Sequence, residues 1–191
     1  MALFHLAAQI IARASGRSAV AAAAYRAAAR LHDERLGRDH DFTRKTGVIH
    51  ASILLPAGAP DALGERERLW NAVEAAEKRK DAQLAREVEL ALPHELPDAA
   101  NIALARAFVQ EAFVGRGMIA DLCVHQPMAG GQPRPHAHVL LTMRGVGEGG
   151  FGAKARAWNG SDLLVGWREL LAVRTNQALA AHGRPERVED R

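Results

Sequence analysis

Apolar and polar positions along the 191-residue chain alternate between short continuous runs and longer stretches with a helical repeat. Residues 2–12, "ALFHLAAQIIA", form a compact apolar run that suits a buried strand. "ASGRS" then turns the chain, and Ser18 is placed to cap an alanine-rich helix running through Leu31. Residues 32–47 are polar and charged, which predicts an irregular exposed connection. A second strand is expected over 48–56, stopped by Pro56. Leu63, Leu69, Trp70, Val73 and Ala76 recur at helical spacing, predicting a helix over 61–80. In "LAREVELALP" (84–93) the alternation places Val88, Leu90 and Leu92 on one face of a strand and Glu87, Glu89 and Ala91 on the other. A helix over 98–114, a strand over 118–125, a Gly/Pro loop, a strand over 135–144, a glycine-rich link and a helix over 162–181 complete the pattern.

The predicted order is β α β α β α β β α. The last two strands are joined by too few residues for a helical crossover, so they form an antiparallel hairpin. The expected fold class is α/β in the α+β sense: one mainly antiparallel sheet flanked by helices, in a single domain over 1–191.

Composition narrows the picture modestly. Apolar residues make up 48% and charged residues 25%, as in an ordinary globular protein. A single cysteine, Cys123, excludes a disulfide framework and fits a reducing, cytoplasmic setting. No stretch approaches the roughly 20 apolar residues of a membrane span, and the N-terminal run lacks the basic flank of a signal peptide. The net charge of +3 leans toward polyanions without identifying one.

Candidate chemistry concentrates in the predicted hairpin. His136 and His138 lie two apart on one strand, so both rings leave the same face, and His125 closes the facing strand. Three imidazoles on one face can hold a divalent ion at about 2.0–2.1 Å per bond and leave a coordination position open. The same spacing also suits structural or exposed histidines, and spacing alone leaves both open. His32, His40, His94 and His182 read as solvated, His5 and His50 as hydrogen-bonded core residues in strands. Tyr25, the single tyrosine, sits in the alanine helix; a core residue with its hydroxyl at the surface is the simplest reading of it.

Taken in order, "LFHL", "SGRSAVAAAAYR", "LWNAVEAAEKRKDAQLAREVELALPHEL" and "MIADLCVH…PHAHVLLTMR" resemble the MobA/MobL family of plasmid relaxases, most closely the TraA-type conjugative relaxase domain of the HUH endonuclease class. The His-hydrophobic-His signature of that class is His136-Ala137-His138 here. The resemblance covers nearly the whole chain, and four blocks occur in the family's order. It implies a metal-dependent enzyme that nicks one strand of single-stranded DNA at a plasmid transfer origin and stays attached through a 5′-phosphotyrosyl bond. Tyr25 matches the nucleophile, and His125, His136 and His138 match the metal ligands. Glu87 matches the acidic motif, with a role either beside a ligating histidine or near the tyrosine.

A phenol, with a pKa near 10, is phenolate in about one molecule in a thousand at neutral pH, so such attack needs a base or charge stabilisation. The family's usual metals are Mg or Mn, while imidazole ligands by softness also suit Zn or Ni. Lys78, Arg79, Lys80, Arg86 and Arg134 are candidates for DNA phosphate contacts, as are Arg44 and Lys45. Phe42, Phe151, Trp158 and the glycine-rich segment 145–152 are candidates to fold over the strand. The small residues around Tyr25 could admit a DNA backbone or could seat the helix on the sheet. Accessory relaxosome and coupling proteins are the implied partners, and TraA-type chains continue into a helicase domain.

The loop "QPMAGGQPRPHAH" departs from the family's usual acidic-glycine turn, with Arg134 where an Asn stands. One tyrosine excludes two-tyrosine schemes. Two other classes fit the same residues: a phosphodiesterase acting through His136 or His138, for which Tyr25 is dispensable, and a DNA-binding module that forms no covalent product.

Overall fold

In the computed structural model, residues 3–190 are described; Ala2 of the first expected strand lies outside them. The chain runs β1 (Leu6–Ala12), α1 (Ala19–Ala27), β2 (Arg30–Asp33), β3 (Arg38–Asp41), β4 (Val48–Leu54), α2 (Arg66–Ala76), β5 (Gln83–Ala91), α3 (Asp98–Ala112), β6 (Ala120–His125), β7 (Met128–Ala129), β8 (Gln132–Pro133), β9 (His136–Thr142), β10 (Arg144–Gly147), β11 (Gly150–Lys154) and α4 (Ser161–Ala181). Five strands form the central sheet in the order β1-β5-β9-β6-β4, and every neighbouring pair is antiparallel. This is the α+β sandwich expected from the sequence.

Strand alternation divides the sheet into two unlike faces. Leu6, Val88, Leu90, Leu122, Val124, Val139 and Leu141 pack against Phe108, Phe113, Trp167 and Leu171 of the α3–α4 layer in one apolar core. The other face receives α1 and α2 through Ile11, Ala19, Val20, Ala23, Ala24, Leu69, Trp70 and Leu140. Ala19, Ala23 and Ala24 are fully buried, so these three seat α1 close against the sheet.

The α1–α2 face also buries charge, and each carboxylate there has donors. Asp121 of β6 receives Arg66 Nε and Nη2 at 2.8 and 2.9 Å and Trp70 Nε1 at 2.9 Å, tying α2 to the sheet. Glu74 receives Arg13 Nη2 at 2.6 Å and the Ala19 amide at 2.9 Å, tying α2 to the entry of α1.

Four segments differ from the sequence reading. Ser18 caps α1 through the Ala21 amide, but the helix ends at Ala27 rather than Leu31. Ala28 is left-handed at φ 52°, and Leu31 lies on β2, buried. The expected irregular connection over 32–47 contains the β2–β3 hairpin, because the buried Asp33 carboxylate accepts from Ser18 Oγ, the Leu36 amide and the His40 ring. His40 is correspondingly shielded rather than solvated.

The helix expected over 61–80 is a 3-10 turn followed by α2, which stops at Ala76. Arg13 takes the carbonyls of Glu74, Glu77 and Arg79 there, and Glu77 leaves the helix to pair with Arg144 and Lys154. The glycine-rich link after Thr142 is the β10–β11 hairpin, pinned by buried Val146. Among the described residues no helix is long and apolar enough to cross a membrane.

Replacing Asp121 by Ala would leave the Arg66 guanidinium and the Trp70 indole N–H without their acceptor. Urea unfolding is expected to show a loss of about 3 kcal/mol or more, with a smaller loss for Asp121→Asn, which keeps one acceptor for the indole. Equal, near-zero effects for both variants would contradict this account.

Candidate metal and nucleophile site

The register of β6 against β9 sets His125 directly opposite His136, and Cys123 opposite His138. Directly paired residues share a face, so the three imidazoles meet on the α1–α2 side. Their ring centroids lie 4.8–5.3 Å apart, and one ring nitrogen from each lies within 4.8 Å of the other two.

What each ring does with its second nitrogen settles its tautomer. His125 Nε2 lies 2.7 Å from the Arg26 carbonyl, His136 Nδ1 lies 2.9 Å from the Arg134 carbonyl, and His138 Nδ1 lies 2.9 Å from Glu87 Oε1. A carbonyl or carboxylate oxygen can only accept, so each of these nitrogens donates its proton. In the neutral rings the lone pairs are therefore left on His125 Nδ1, His136 Nε2 and His138 Nε2. Donation outward to a fixed oxygen is the usual way a protein aims an imidazole at a metal. The donor set fits a divalent ion of the Mn, Ni or Zn type.

Electrostatics keep the rings available. Burial pushes His125 down to about 4, against the opposing hydrogen bond to Arg26, and burial also lowers His136. Neither ring needs to shed a proton at neutral pH before ligating.

Glu87 is 1% exposed at the middle of β5. Beyond His138 it receives Arg26 Nε at 2.5 Å on the same oxygen and Gln9 Nε2 at 2.7 Å on the other. Burial opposes its charge, but the hydrogen bonds from His138 and Arg26 outweigh that and hold the carboxyl at about 2. Arg26 is thus double-ended, with its guanidinium on Glu87 and its carbonyl on His125.

Tyr25 precedes Arg26 in α1, so the same two contacts anchor the helical turn that carries the tyrosine. Its side chain is 43% exposed rather than part of the core. Phe42 meets the ring edge-on at 5.2 Å, and Lys45 Nζ lies 3.9 Å from the ring centroid while donating to the Tyr25 carbonyl at 3.0 Å. Burial, then the Arg26 charge, lowers the Lys45 pKa.

The basic candidates scatter. Arg134 is exposed immediately before His136 and borders, with Glu89 and His94, a cavity of about 210 Å³ beside that histidine. Lys78, Arg79 and Lys80 lie in the turn between α2 and β5, at the far end of β5 from His136, and Arg79 is paired with Asp81 at 2.8 Å. Arg86 needs correction as a phosphate contact at this site. Strand alternation turns it to the α3–α4 face, opposite Glu87, where it is 2% exposed.

Gln9 and Arg26 escaped sequence reasoning: the β1–β5 pairing alone puts Gln9 beside Glu87, and only the docking of α1 brings Arg26 to it.

The family model described as the MobA/MobL family matches residues 17–191. "Conjugal transfer protein TraA" of Agrobacterium fabrum is 44% identical over 172 residues, covering 85% of this chain and 15% of that protein. "Mobilization protein MobL" of Acidithiobacillus ferridurans is 46% identical over 127 residues, covering 66% of this chain and 33% of that protein. This chain therefore spans only a minor part of the length of these relatives. A solved structure from work on the molecular basis of vancomycin resistance transfer in Staphylococcus aureus superposes with a TM-score of 0.92 at 33% identity, covering 100% of this chain and 99% of that one.

Two outcomes follow from the Glu87 cluster. Glu87→Gln loses the charge that orients His138, and calorimetric titration with Mn²⁺ is expected to show affinity reduced about 10- to 100-fold with the fold intact. In metal-free protein, Glu87 binds its proton less readily folded than unfolded. Its stabilisation is complete above its ordinary value of 4.5 and is lost as pH falls toward about 2, a change of roughly 3 kcal/mol. His125 adds a loss in the same direction between its ordinary 6.5 and about 4. Unfolding free energies measured in EDTA from pH 7 to 2 should decline through both windows, and Glu87→Gln should flatten the lower one.

Proposed function

The chain belongs to the MobA/MobL family, and from that membership and the geometry around His125, His136 and His138 we propose that it is the nicking domain of a conjugative relaxase, a metal-dependent tyrosine transesterase acting on single-stranded DNA at a plasmid transfer origin. The observation that carries this reading is the set of three imidazoles with ring nitrogens within 4.8 Å of one another, tied through Arg26 to the helix that presents the exposed Tyr25.

In this reading the Tyr25 hydroxyl oxygen attacks the scissile phosphorus as the bond to the 3′-oxygen breaks. The phenolic proton leaves, the departing 3′-oxygen gains a proton, and the DNA 5′-phosphate becomes an ester of Tyr25. One phosphodiester replaces another, so the nick can be resealed without an external energy source. A divalent ion held by His125 Nδ1, His136 Nε2 and His138 Nε2 would withdraw negative charge from the non-bridging phosphate oxygens.

The chain's own residues do the positioning. Glu87 fixes His138 in one tautomer, and the Arg26 and Arg134 carbonyls do the same for His125 and His136. Phe42 and Lys45 restrict the Tyr25 ring on an otherwise open surface, and the Lys45 ammonium places a positive charge against it. Arg134, Arg44 and Lys45 are the cations available to the DNA backbone near the site, so binding should weaken as salt rises. The metal is Mn²⁺ or Mg²⁺ by family habit, and the relaxosome and coupling proteins are the partners the family implies.

The test uses single-stranded oligonucleotides spanning a candidate transfer origin, with wild type and Tyr25→Phe, resolved on a denaturing gel. A covalent protein–DNA band that requires added metal, vanishes in EDTA and is absent in Tyr25→Phe is the expected result. Cleavage that survives Tyr25→Phe would overturn the tyrosine mechanism in favour of histidine-based phosphodiester hydrolysis. Binding with neither cleavage nor adduct would leave a DNA-binding module.

A further inference from the structure

On the α3–α4 side of the sheet, away from the histidines, a cavity of about 320 Å³ opens between the β1 edge, the Gln83–Arg86 end of β5 and the start of α4. Two of the residues that line it carry buried hydrogen-bond donors that lack acceptors. Arg86, 2% exposed, spends Nη2 on Asn159 Oδ1, while its buried Nη1 has no partner. Its guanidinium lies 5.8 Å from the Trp158 ring, and no carboxylate forms an ion pair with it among the described residues. Trp167, 4% exposed, lines the same cavity, and its buried Nε1 is likewise unpartnered.

The third wall is the N-terminus of α4, through Gly160 and Ser161. At 21 residues this is the longest helix among those described, and no side chain caps it. Its first N–H groups have no intrahelical acceptors, and the helix dipole adds partial positive charge there. Asp162, the acidic residue of that first turn, is exposed and does not line the cavity.

A buried guanidinium cannot relieve its position by losing its proton, and an indole N–H cannot accept. Donors of three kinds around one cavity, with no counter-charge, suit an oxyanion with several acceptor oxygens. We propose that this cavity is a phosphate site, which holds one phosphate group between Arg86 Nη1, Trp167 Nε1 and the first-turn amides of α4. The group comes either from free inorganic phosphate or from a phosphodiester of DNA running along the open edge of β1. The first source stands apart from the relaxase reading, and the second rests on it. The volume exceeds that of a bare phosphate group, which leaves room for an attached sugar or solvent beside Trp158.

Indole N–H resonances in ¹H–¹⁵N spectra of the protein test this directly, with Trp167→Phe assigning the signal. Titration with inorganic phosphate, against sodium chloride at matched ionic strength, should shift the Trp167 resonance saturably with phosphate alone. Arg86→Gln should weaken that binding at least tenfold. Ser161→Asp, an exposed change that supplies a competing carboxylate at the helix start, should do the same and keeps the test decisive if Arg86→Gln folds poorly.

An oligodeoxythymidylate of eight nucleotides that reproduces the shift points to a backbone phosphate; a shift with inorganic phosphate alone points to the free ion. Chloride acting as well as phosphate, no saturable shift, or wild-type titration in Ser161→Asp would overturn the site. The covalent-adduct assay depends on Tyr25 rather than this cavity, so failure there with an intact phosphate shift removes only the relaxase reading.

Discussion

The Glu87 carboxylate is the interaction on which the candidate site depends. A charge that deeply buried is tolerable only if donors surround it, and here they come from three elements: Gln9 on β1, Arg26 on α1 and His138 on β9. One carboxylate therefore orients the His138 ring, joins two strands and docks the helix that carries the tyrosine. Arg26 extends the constraint, because its carbonyl receives His125. The helix that carries Tyr25 and the three histidines are held in one frame by hydrogen bonds, without Tyr25 itself having to be buried.

The rest of the molecule makes that frame rigid by using the two faces of the sheet differently. The α3–α4 side is held by apolar packing, with Phe113, Trp158 and Trp167 in mutual aromatic contact. The α1–α2 side combines an apolar centre with five buried carboxylates, Asp33, Glu74, Glu77, Glu87 and Asp121, each given specific donors. Directional bonds of this kind specify one docking geometry where apolar contacts alone would tolerate sliding.

Much of this was legible in the sequence. Alternation in "LAREVELALP" separated Glu87 from Val88 before any strand was paired, and it holds in the sheet. The His-x-His spacing put His136 and His138 on one face, and the short loop brought His125 opposite them. Segments whose structure comes from distant partners carry no such local pattern. The β2–β3 hairpin looks like a polar linker because its stabilising group, Asp33, is satisfied by Ser18 and His40 rather than by a local apolar pattern. Arg13, far away in sequence, ends α2 four residues early by taking its last carbonyls.

The sequence by itself determined the periodicities: which strand residues share a face, where helices start at residues such as Ser18, and that three histidines and one tyrosine were available as chemistry. Those properties are local, since side-chain direction follows from backbone period. Only the tertiary structure decided that Tyr25 stands exposed, that Arg26 and Gln9 belong to the Glu87–histidine cluster, and that Arg86 faces away. Those outcomes depend on β1 pairing with β5 across some 75 residues and on α1 settling onto the sheet, and long-range pairing of that kind leaves no periodic trace in the chain.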